Sequence, residues 1–288
     1  MTRQADGWAA LALWAGQHGL GLYLGTGLLL LLMVTGLVIG HTGGCWARPP
    51  AVPASTPAGG GPGAPAWHAG RHTLVIGGAV TALSAGLFSA IAWQLGAGGG
   101  LRAADAIFLQ ALRPGVSPAA SQFFAGLTHA ADTATLTALC SAGAVMLLVR
   151  RQRLLAAAWV LAIAGNGLLN TGLKQSFGRL RPAHLQGDLA EPGLSFPSGH
   201  SSGAVVAYGM AAYLALRLLP GRWHLPAMLL AVALAFSVGA SRLVLQVHFA
   251  SDVFAGFASG SAWLALCITG LAAARQAGLT PAAPAAAP

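Results

Sequence analysis

Long apolar runs separated by short polar or basic stretches dominate the pattern of residues along the chain. The hydrocarbon layer of a membrane is ~30 Å thick, so a helix that rises ~1.5 Å per residue needs about 20 apolar residues to cross it. Seven runs approach that length with almost no charged residues, and they predict seven membrane-spanning helices. The runs are 19–40, 73–95, 130–149, 154–173, 199–216, 225–241 and 253–274.

The segments between these runs suggest how the chain is divided. Residues 47–70 are rich in proline and glycine and have no helical period, which is typical of a flexible linker. Residues 101–112 carry apolar side chains at helical spacing and predict a helix at the membrane interface. The predicted units are an N-terminal transmembrane helix (1–46), the linker (47–70), a six-helix domain (71–275) and a disordered tail (276–288).

Composition places the chain in the membrane class. Of its 288 residues, 56% are hydrophobic and 7% are charged, whereas soluble domains carry roughly 25% charged residues. A net charge of +9 would suggest nucleic-acid binding in a soluble protein. Here most arginines lie in short loops between apolar runs, so we expect no nucleic-acid partner. The three cysteines are far apart and indicate neither a disulfide nor a metal site.

The arginines also predict the orientation of the chain. In the seven-span arrangement one side receives eight arginines and none of the six acidic residues. Loops rich in arginine and lysine stay in the cytoplasm, so that side is cytoplasmic. We therefore expect a multi-pass protein of the cytoplasmic membrane. The eight residues are Arg48, Arg71, Arg150, Arg151, Arg153, Arg217, Arg222 and Arg275.

The lysine at the end of the fourth predicted span is unusual, because Lys174 is the sole lysine of the chain. Asn166 and Asn170 precede it at intervals of four residues, so the three side chains form one polar stripe on a helix. Two explanations stand at this point. The stripe can line a functional site. Alternatively, the lysine extends its charged end to the membrane interface and the two asparagines form hydrogen bonds with neighbouring helices.

Two further polar segments lie at span ends. Ser198, Gly199 and His200 open the fifth span, where free N–H groups and the helix dipole favour an anion, although a plain helix cap is the simpler reading. His248 and Asp252 are four residues apart at the start of the seventh span. A carboxylate there can hold one ring nitrogen and leave the other free, although a structural pair is again the alternative.

The alternation of spans places all three segments on the same outer face. Arg181 and Arg242 lie in these segments too, so three cations, two histidines, a carboxylate and a helix start can converge there. Phosphoryl transfer requires such a set, with cations around the phosphate oxygens, a nucleophile behind phosphorus and an acid near the leaving group.

The spacing of these residues resembles the three-part signature of the type 2 phosphatidic acid phosphatase superfamily. The first part is Lys174, followed after six residues by Arg181-Pro182, and the second is the segment Pro197-Ser198-Gly199-His200. In the third part, five residues separate Arg242 from His248 and three residues separate His248 from Asp252. The resemblance implies an all-α integral membrane protein with a six-helix transmembrane bundle. The one additional N-terminal transmembrane helix and the proline-rich linker lie outside the resemblance. The resemblance also implies His248 as nucleophile, Asp252 as its orienting carboxylate and His200 as general acid, with phosphate bound by Lys174, Arg181, Ser198, Gly199 and Arg242.

The resemblance further implies hydrolysis of the terminal phosphate of a membrane lipid, and the arginine asymmetry predicts that this occurs at the outer face. Phosphatidic acid, phosphatidylglycerophosphate and polyprenyl diphosphate all fit, because the signature addresses only the phosphate. No metal, other cofactor or protein partner is expected. Two alternatives remain: transfer of the phosphoryl group to an acceptor other than water, and transport, which clustering of the charges at one face disfavours.

Two further patterns lie outside the signature segments. His129 and Asp132 predict an interfacial polar pair, with contact to a lipid headgroup as the alternative. Gly256 and Gly260 are four residues apart and favour close packing of the last span against a neighbouring helix.

Overall fold

The structure, a computed structural model, describes residues 2–43, 67–96, 100–182 and 193–277. Ten α-helices make up most of this part of the chain, which confirms the predicted all-α class. The helices are α1 (Thr2–Gln17), α2 (Gly19–Gly43), α3 (Trp67–Gly96), α4 (Leu101–Leu112), α5 (Pro118–Thr128), α6 (Thr133–Val149), α7 (Arg153–Phe177), α8 (Gly199–Leu218), α9 (His224–Val244) and α10 (Ala250–Gln276).

The seven predicted spans fall on α2, α3, α6, α7, α8, α9 and α10. By length and apolarity, five helices of the described residues can cross a bilayer, namely α2, α3, α7, α9 and α10. Helices α5 and α6 meet the same criterion as a pair that is bent by 43°. These properties therefore support five spans, or six with the bent pair, and not the full seven.

Helix α8 falls below that criterion because polar residues open it. The other helices of the bundle surround it. It packs against α7, α9 and α10. Ala204, Val206, Ala207 and Met210 along its length are completely buried. A helix enclosed by protein can carry polar residues that a lipid-facing helix cannot, so α8 is suited to carry part of a site.

The N-terminal segment forms two helices, whereas the sequence pattern predicted one. The apolar pattern did not predict helix α1, because its 16 residues span only about 24 Å, less than the ~30 Å of the hydrocarbon layer. It packs against α4, and Gly16 comes so near that an added Cβ would lie 2.6 Å from the Phe108 carbonyl oxygen. Helix α2 packs against α9, where the Tyr23 hydroxyl and Ser237 Oγ are 2.8 Å apart. The predicted helix 101–112 is present as α4, and its location at the membrane interface stays a prediction.

Two predicted boundaries need correction. Helix α3 begins at Trp67, so residues 67–70 are helical and do not belong to the linker. Helix α10 continues to Gln276, the first residue that we assigned to the tail, because no proline interrupts it before that point. Residues 47–66 of the predicted linker and 278–288 of the predicted tail lie outside the described residues.

Helices α8 and α10 approach closely through glycine, as the spacing of Gly256 and Gly260 predicted. A Cβ added at Gly256 would lie 2.6 Å from the Ser198 carbonyl oxygen, and one added at Gly260 would lie 2.8 Å from that of Ser202. Only glycine permits two helix backbones to come this near. The contact holds the start of α8 beside the start of α10.

Candidate active site

At the end of α7 the chain turns back toward the segment that leads into α8. Gly178 ends α7 in the left-handed conformation, with a φ of +59°, a conformation that glycine adopts without strain. The following residues run beside the segment that leads into α8. The Ser195 N–H donates to the Arg179 carbonyl oxygen at 2.6 Å, and Lys174 Nζ donates to the Leu194 carbonyl oxygen at 2.5 Å. These bonds bring the first two signature segments together.

The start of α8 faces the polar stripe of α7. Ser198 is the N-cap of α8, and its side chain accepts from the Ser201 N–H. A Cβ added at Gly199 would lie 3.0 Å from Asn170 Oδ1 and 4.0 Å from Lys174 Cε, so the lysine chain passes directly over the helix start. The first N–H groups of a helix have no partner within that helix. The first N–H groups of α8 and the Lys174 ammonium group therefore form one electropositive region.

His248 lies in the short segment between α9 and α10, outside the membrane-spanning helices, and is completely buried. Its Nδ1 is 3.4 Å from Asp252 Oδ2 and 3.2 Å from Ser195 Oγ. The same carboxylate oxygen accepts from the Phe249 N–H at 2.9 Å and from the Ser195 hydroxyl. Among the described residues, none forms a hydrogen bond with His248 Nε2. This arrangement favours a proton on Nδ1 and a lone pair on Nε2.

The electrostatics around His248 keep its ring neutral. Burial lowers the pKa of His248 to about 4, and the positive charges of Arg181 and Arg242 add to the lowering. Asp252 opposes the shift through its hydrogen bond and its negative charge. A neutral imidazole is the form that can act as a nucleophile, and this one is neutral throughout the physiological pH range.

The two signature arginines are held by polar groups near His248. Arg242 of α9 is buried, and its Nη1 donates to Thr128 Oγ1 at 2.8 Å. Arg181 Nη1 donates to the carbonyl oxygen of Val247, the residue before the histidine, at 3.3 Å. The His248 N–H also donates to the Arg242 carbonyl oxygen at 3.3 Å, so both arginines bond to the short segment that carries the histidine. Fixed cations in this position can stabilise the charge of a bound phosphate.

Asp132 links two histidines at the start of α6. Its Oδ1 is 2.9 Å from His200 Nε2, and its Oδ2 is 2.6 Å from His129 Nδ1. The predicted pair of His129 and Asp132 is therefore present, and the carboxylate also contacts His200. A carboxylate bonded to an imidazole favours its protonated form, which is the form a general acid needs.

Three residues to which the sequence assigned no role support Asp252, either directly or through Arg179. Arg179 Nη1 donates to Asp252 Oδ1 at 2.8 Å, and its Nη2 donates to Asp105 Oδ2 at 2.8 Å. Ser195 completes the set through its bond to Asp252. The sequence offered one signal, since Asp105 is an acidic residue on the apolar face of α4. Spacing along the chain cannot pair Asp105 with Arg179, because 74 positions separate them.

Comparisons with known proteins identify the family to which the chain belongs. Residues 153–276 match the model of the PAP2 superfamily. Phosphatidylglycerophosphatase B of Bacillus subtilis (strain 168) is 33% identical over 155 residues, which make up 50% of this chain and 71% of that protein. The chain belongs to the PAP2 superfamily. The resemblance found in the sequence signature is thereby confirmed, and the chain is a phosphatase.

A solved PAP2 structure supports the membrane fold. It is described as the crystal structure of the first transmembrane PAP2 type phosphatidylglycerolphosphate phosphatase from Bacillus subtilis. The two folds agree with a TM-score of 0.60 at 27% sequence identity, over 70% of this chain and 98% of the solved one. This PAP2 phosphatase is therefore a multi-pass membrane protein. All eight predicted site residues lie within the matched range 153–276, whereas α1 to α6 precede it.

Proposed function

We propose that this PAP2 phosphatase hydrolyses the terminal phosphate of a membrane lipid through a phosphohistidine on Nε2 of His248. One observation carries the proposal. His248 Nε2 is buried and has no hydrogen-bond partner among the described residues, while the other nitrogen of the ring is held by Asp252 and Ser195. A buried, neutral ring nitrogen beside two arginines is arranged to attack an anionic phosphorus centre.

Binding of the phosphate falls to the cations and to the start of α8. Lys174, Arg181 and Arg242 supply positive charge, and Ser198 and Gly199 contribute the helix start, so the phosphate oxygens meet donors on several sides. These donors already stand in place, hence little reorganisation accompanies the build-up of charge in the transition state. Because these cations and the helix start can stabilise the phosphate charge, the reaction needs no metal ion.

In the first chemical step the Nε2 lone pair attacks phosphorus and the bond to the lipid oxygen breaks. His200 gives its proton to the departing oxygen, so the lipid leaves as a neutral alcohol, or as a monophosphate when a diphosphate is cleaved. His248, now carrying the phosphoryl group on Nε2 and a proton on Nδ1, is a cation. Asp252 balances this charge and holds the ring in place.

In the second step water attacks the phosphohistidine. His200, neutral after the first step, accepts a proton from the water, and the bond between phosphorus and Nε2 breaks. Inorganic phosphate is released and both histidines return to their starting states. Asp132 supports this cycle by its bond to His200 Nε2, because it can stabilise the protonated ring in one half of the reaction.

Phosphatidylglycerophosphate is the substrate that the comparisons favour. Both named relatives are phosphatases of that lipid. Phosphatidic acid and polyprenyl diphosphate offer the same terminal phosphate on a membrane anchor, so they are the competing substrates in any assay. The arginine asymmetry supports a cytoplasmic membrane location with the site at the outer surface.

The phosphohistidine can be trapped chemically. Purified enzyme in detergent is mixed with phosphatidylglycerophosphate labelled with ³²P in its terminal phosphate, quenched in alkali, and digested for peptide mapping. We expect acid-labile label on the peptide that contains His248. His248→Gln should lose both label and turnover, whereas His200→Asn should slow turnover and retain label when the leaving group is good.

The controls separate the chemistry from folding and from metal contamination. His224 bonds to the Leu219 carbonyl oxygen far from the signature segments in sequence, so His224→Gln should behave as wild type. Assays with and without EDTA should give equal rates. Turnover in His248→Gln, or loss of turnover in EDTA that Mg²⁺ restores, would refute the proposed mechanism.

A further inference from the structure

Arg179 joins two buried carboxylates that come from different parts of the chain. Its side chain is 10% exposed, that of Asp105 is 2% exposed and that of Asp252 is completely buried. Nη1 bonds to Asp252 Oδ1 and to Ser251 Oγ, at 2.8 Å and 2.7 Å, and Nη2 bonds to Asp105 Oδ2. The guanidinium plane also covers the Phe249 ring, with Cζ 4.2 Å from the ring centroid.

The two oxygens of Asp252 have separate partners. Oδ1 accepts from Arg179, while Oδ2 accepts from the Phe249 N–H and the Ser195 hydroxyl and faces His248 Nδ1. Rotation of the carboxylate would break bonds at both oxygens. Arg179 therefore fixes the plane of the group that orients His248, and it also supplies a counter-charge to a buried anion.

Asp105 holds Arg179 from the opposite side. Its Oδ1 accepts from the Ser251 N–H at 3.0 Å and its Oδ2 from the Ser251 hydroxyl, so α4 is tied to the first turn of α10. Asp105 lies outside the residues that match the family model. The connection runs from α4 through Arg179 and Asp252 to His248, without any contact between Asp105 and the ring itself.

We propose that Arg179 and Asp105 are positioning residues for the reaction, acting on His248 through Asp252. The proposal rests on the proposed role of His248 as nucleophile. Arg179 holds the carboxylate in the orientation that presents Nε2 to phosphorus, and Asp105 holds Arg179. A purely structural tie between α4 and α10 would predict a smaller folded fraction but unchanged chemistry in the molecules that fold.

The pH dependence of kcat/KM distinguishes the two roles, since its acid limb reports protonation of the free enzyme. The charged groups that act on His248 are Asp252 of α10, Arg242 of α9 and Arg181 after α7. Arg179 and Asp105 act through Asp252, while Lys174 and His200 are unchanged in every variant. Removing the positive charge of Arg179 strengthens proton binding at His248, so the acid limb should move to higher pH. Removing the negative charge of Asp105 weakens proton binding at His248, so the acid limb should stay in place or move to lower pH.

The experiment uses the full-length enzyme in detergent with three variants. Arg179→Gln should lower kcat by on the order of 10- to 100-fold, as when an outer partner of a metal-bound histidine is removed, and should raise the acid limb. Arg179→Lys should lower kcat and leave the limb in place, because the charge remains. Asp105→Asn should lower kcat while the limb stays or moves to lower pH.

Arg102→Gln is the matched control, because Arg102 of α4 bonds to a backbone carbonyl, that of Leu95. It should match wild type in rate and in pH profile. An acid limb that is unmoved in Arg179→Gln, or raised equally in Asp105→Asn, would overturn the positioning role. Absence of label on His248 in the wild type would instead refute the proposed function, so the two failures are distinguishable.

Discussion

His248 shows how burial sets chemistry at the scale of one residue. An ordinary histidine has a pKa near 6.5, whereas burial lowers the pKa of His248 to about 4. We therefore expect the ring to stay neutral, with its proton on Nδ1, as the pH falls from 7 to 5, and to become charged only near pH 4. NMR of ¹⁵N-labelled histidine side chains in the free enzyme measures this, and His248→Gln identifies the signals. Protonation of His248 near pH 6.5 would contradict the expectation.

At the same scale, the signature predicted which residues take part but not what holds them. The resemblance to the family signature implied roles for Lys174, Arg181, Ser198, Gly199, His200, Arg242, His248 and Asp252. Arg179 was assigned no role, because its partners Asp105 and Asp252 lie 74 and 73 positions away and only the folded chain brings them together. Their roles stay predictions until the variants described above are measured.

At the scale of helices, the approach of α8 and α10 depends on a residue without a side chain. A Cβ at Gly256 would lie 2.6 Å from the Ser198 carbonyl oxygen, a backbone atom that cannot swing away. We expect Gly256→Ala to destabilise the fold by about 1–3 kcal/mol, the range for overpacking, and to lower activity by moving Ser198. Thermal unfolding in detergent and the lipid phosphatase assay measure both effects. Gly78→Ala is the control, because nothing lies within 4 Å of a Cβ there; equal behaviour of the two variants would contradict the close contact.

Helix types and lengths were more predictable than helix partners. Apolar runs of sufficient length located α2, α3, α7, α9 and α10, since membrane thickness sets a minimum for each. Helix α1 escaped prediction because it is too short to span and packs on α4 instead. The bend between α5 and α6 was equally hidden, because no proline or glycine marks the junction at Asp132.

At the scale of the whole molecule, orientation remains the main prediction to measure. In a variant that lacks Cys45, Cys140 and Cys267, a single cysteine is placed either at Gly115, before α5, or at Gln152, before α7; both positions are exposed. A membrane-impermeant maleimide should label Gly115→Cys on intact spheroplasts and Gln152→Cys only after the membrane is opened. This follows from the arginines at 150, 151 and 153, which favour the cytoplasm. The reverse pattern would place the active site in the cytoplasm.

The modest apolarity of α8 has a consequence for how the protein is made. A segment leaving the ribosome enters the bilayer alone only if its own transfer free energy is favourable, and each polar residue reduces that gain. Helix α8 opens with Gly199, His200, Ser201 and Ser202 and falls below the apolarity of a self-sufficient span. We therefore expect α8 to be retained in the membrane together with α7 or α9 during synthesis. The polar residues that open α8 are thus expected to enter the membrane only because the neighbouring helices enclose them.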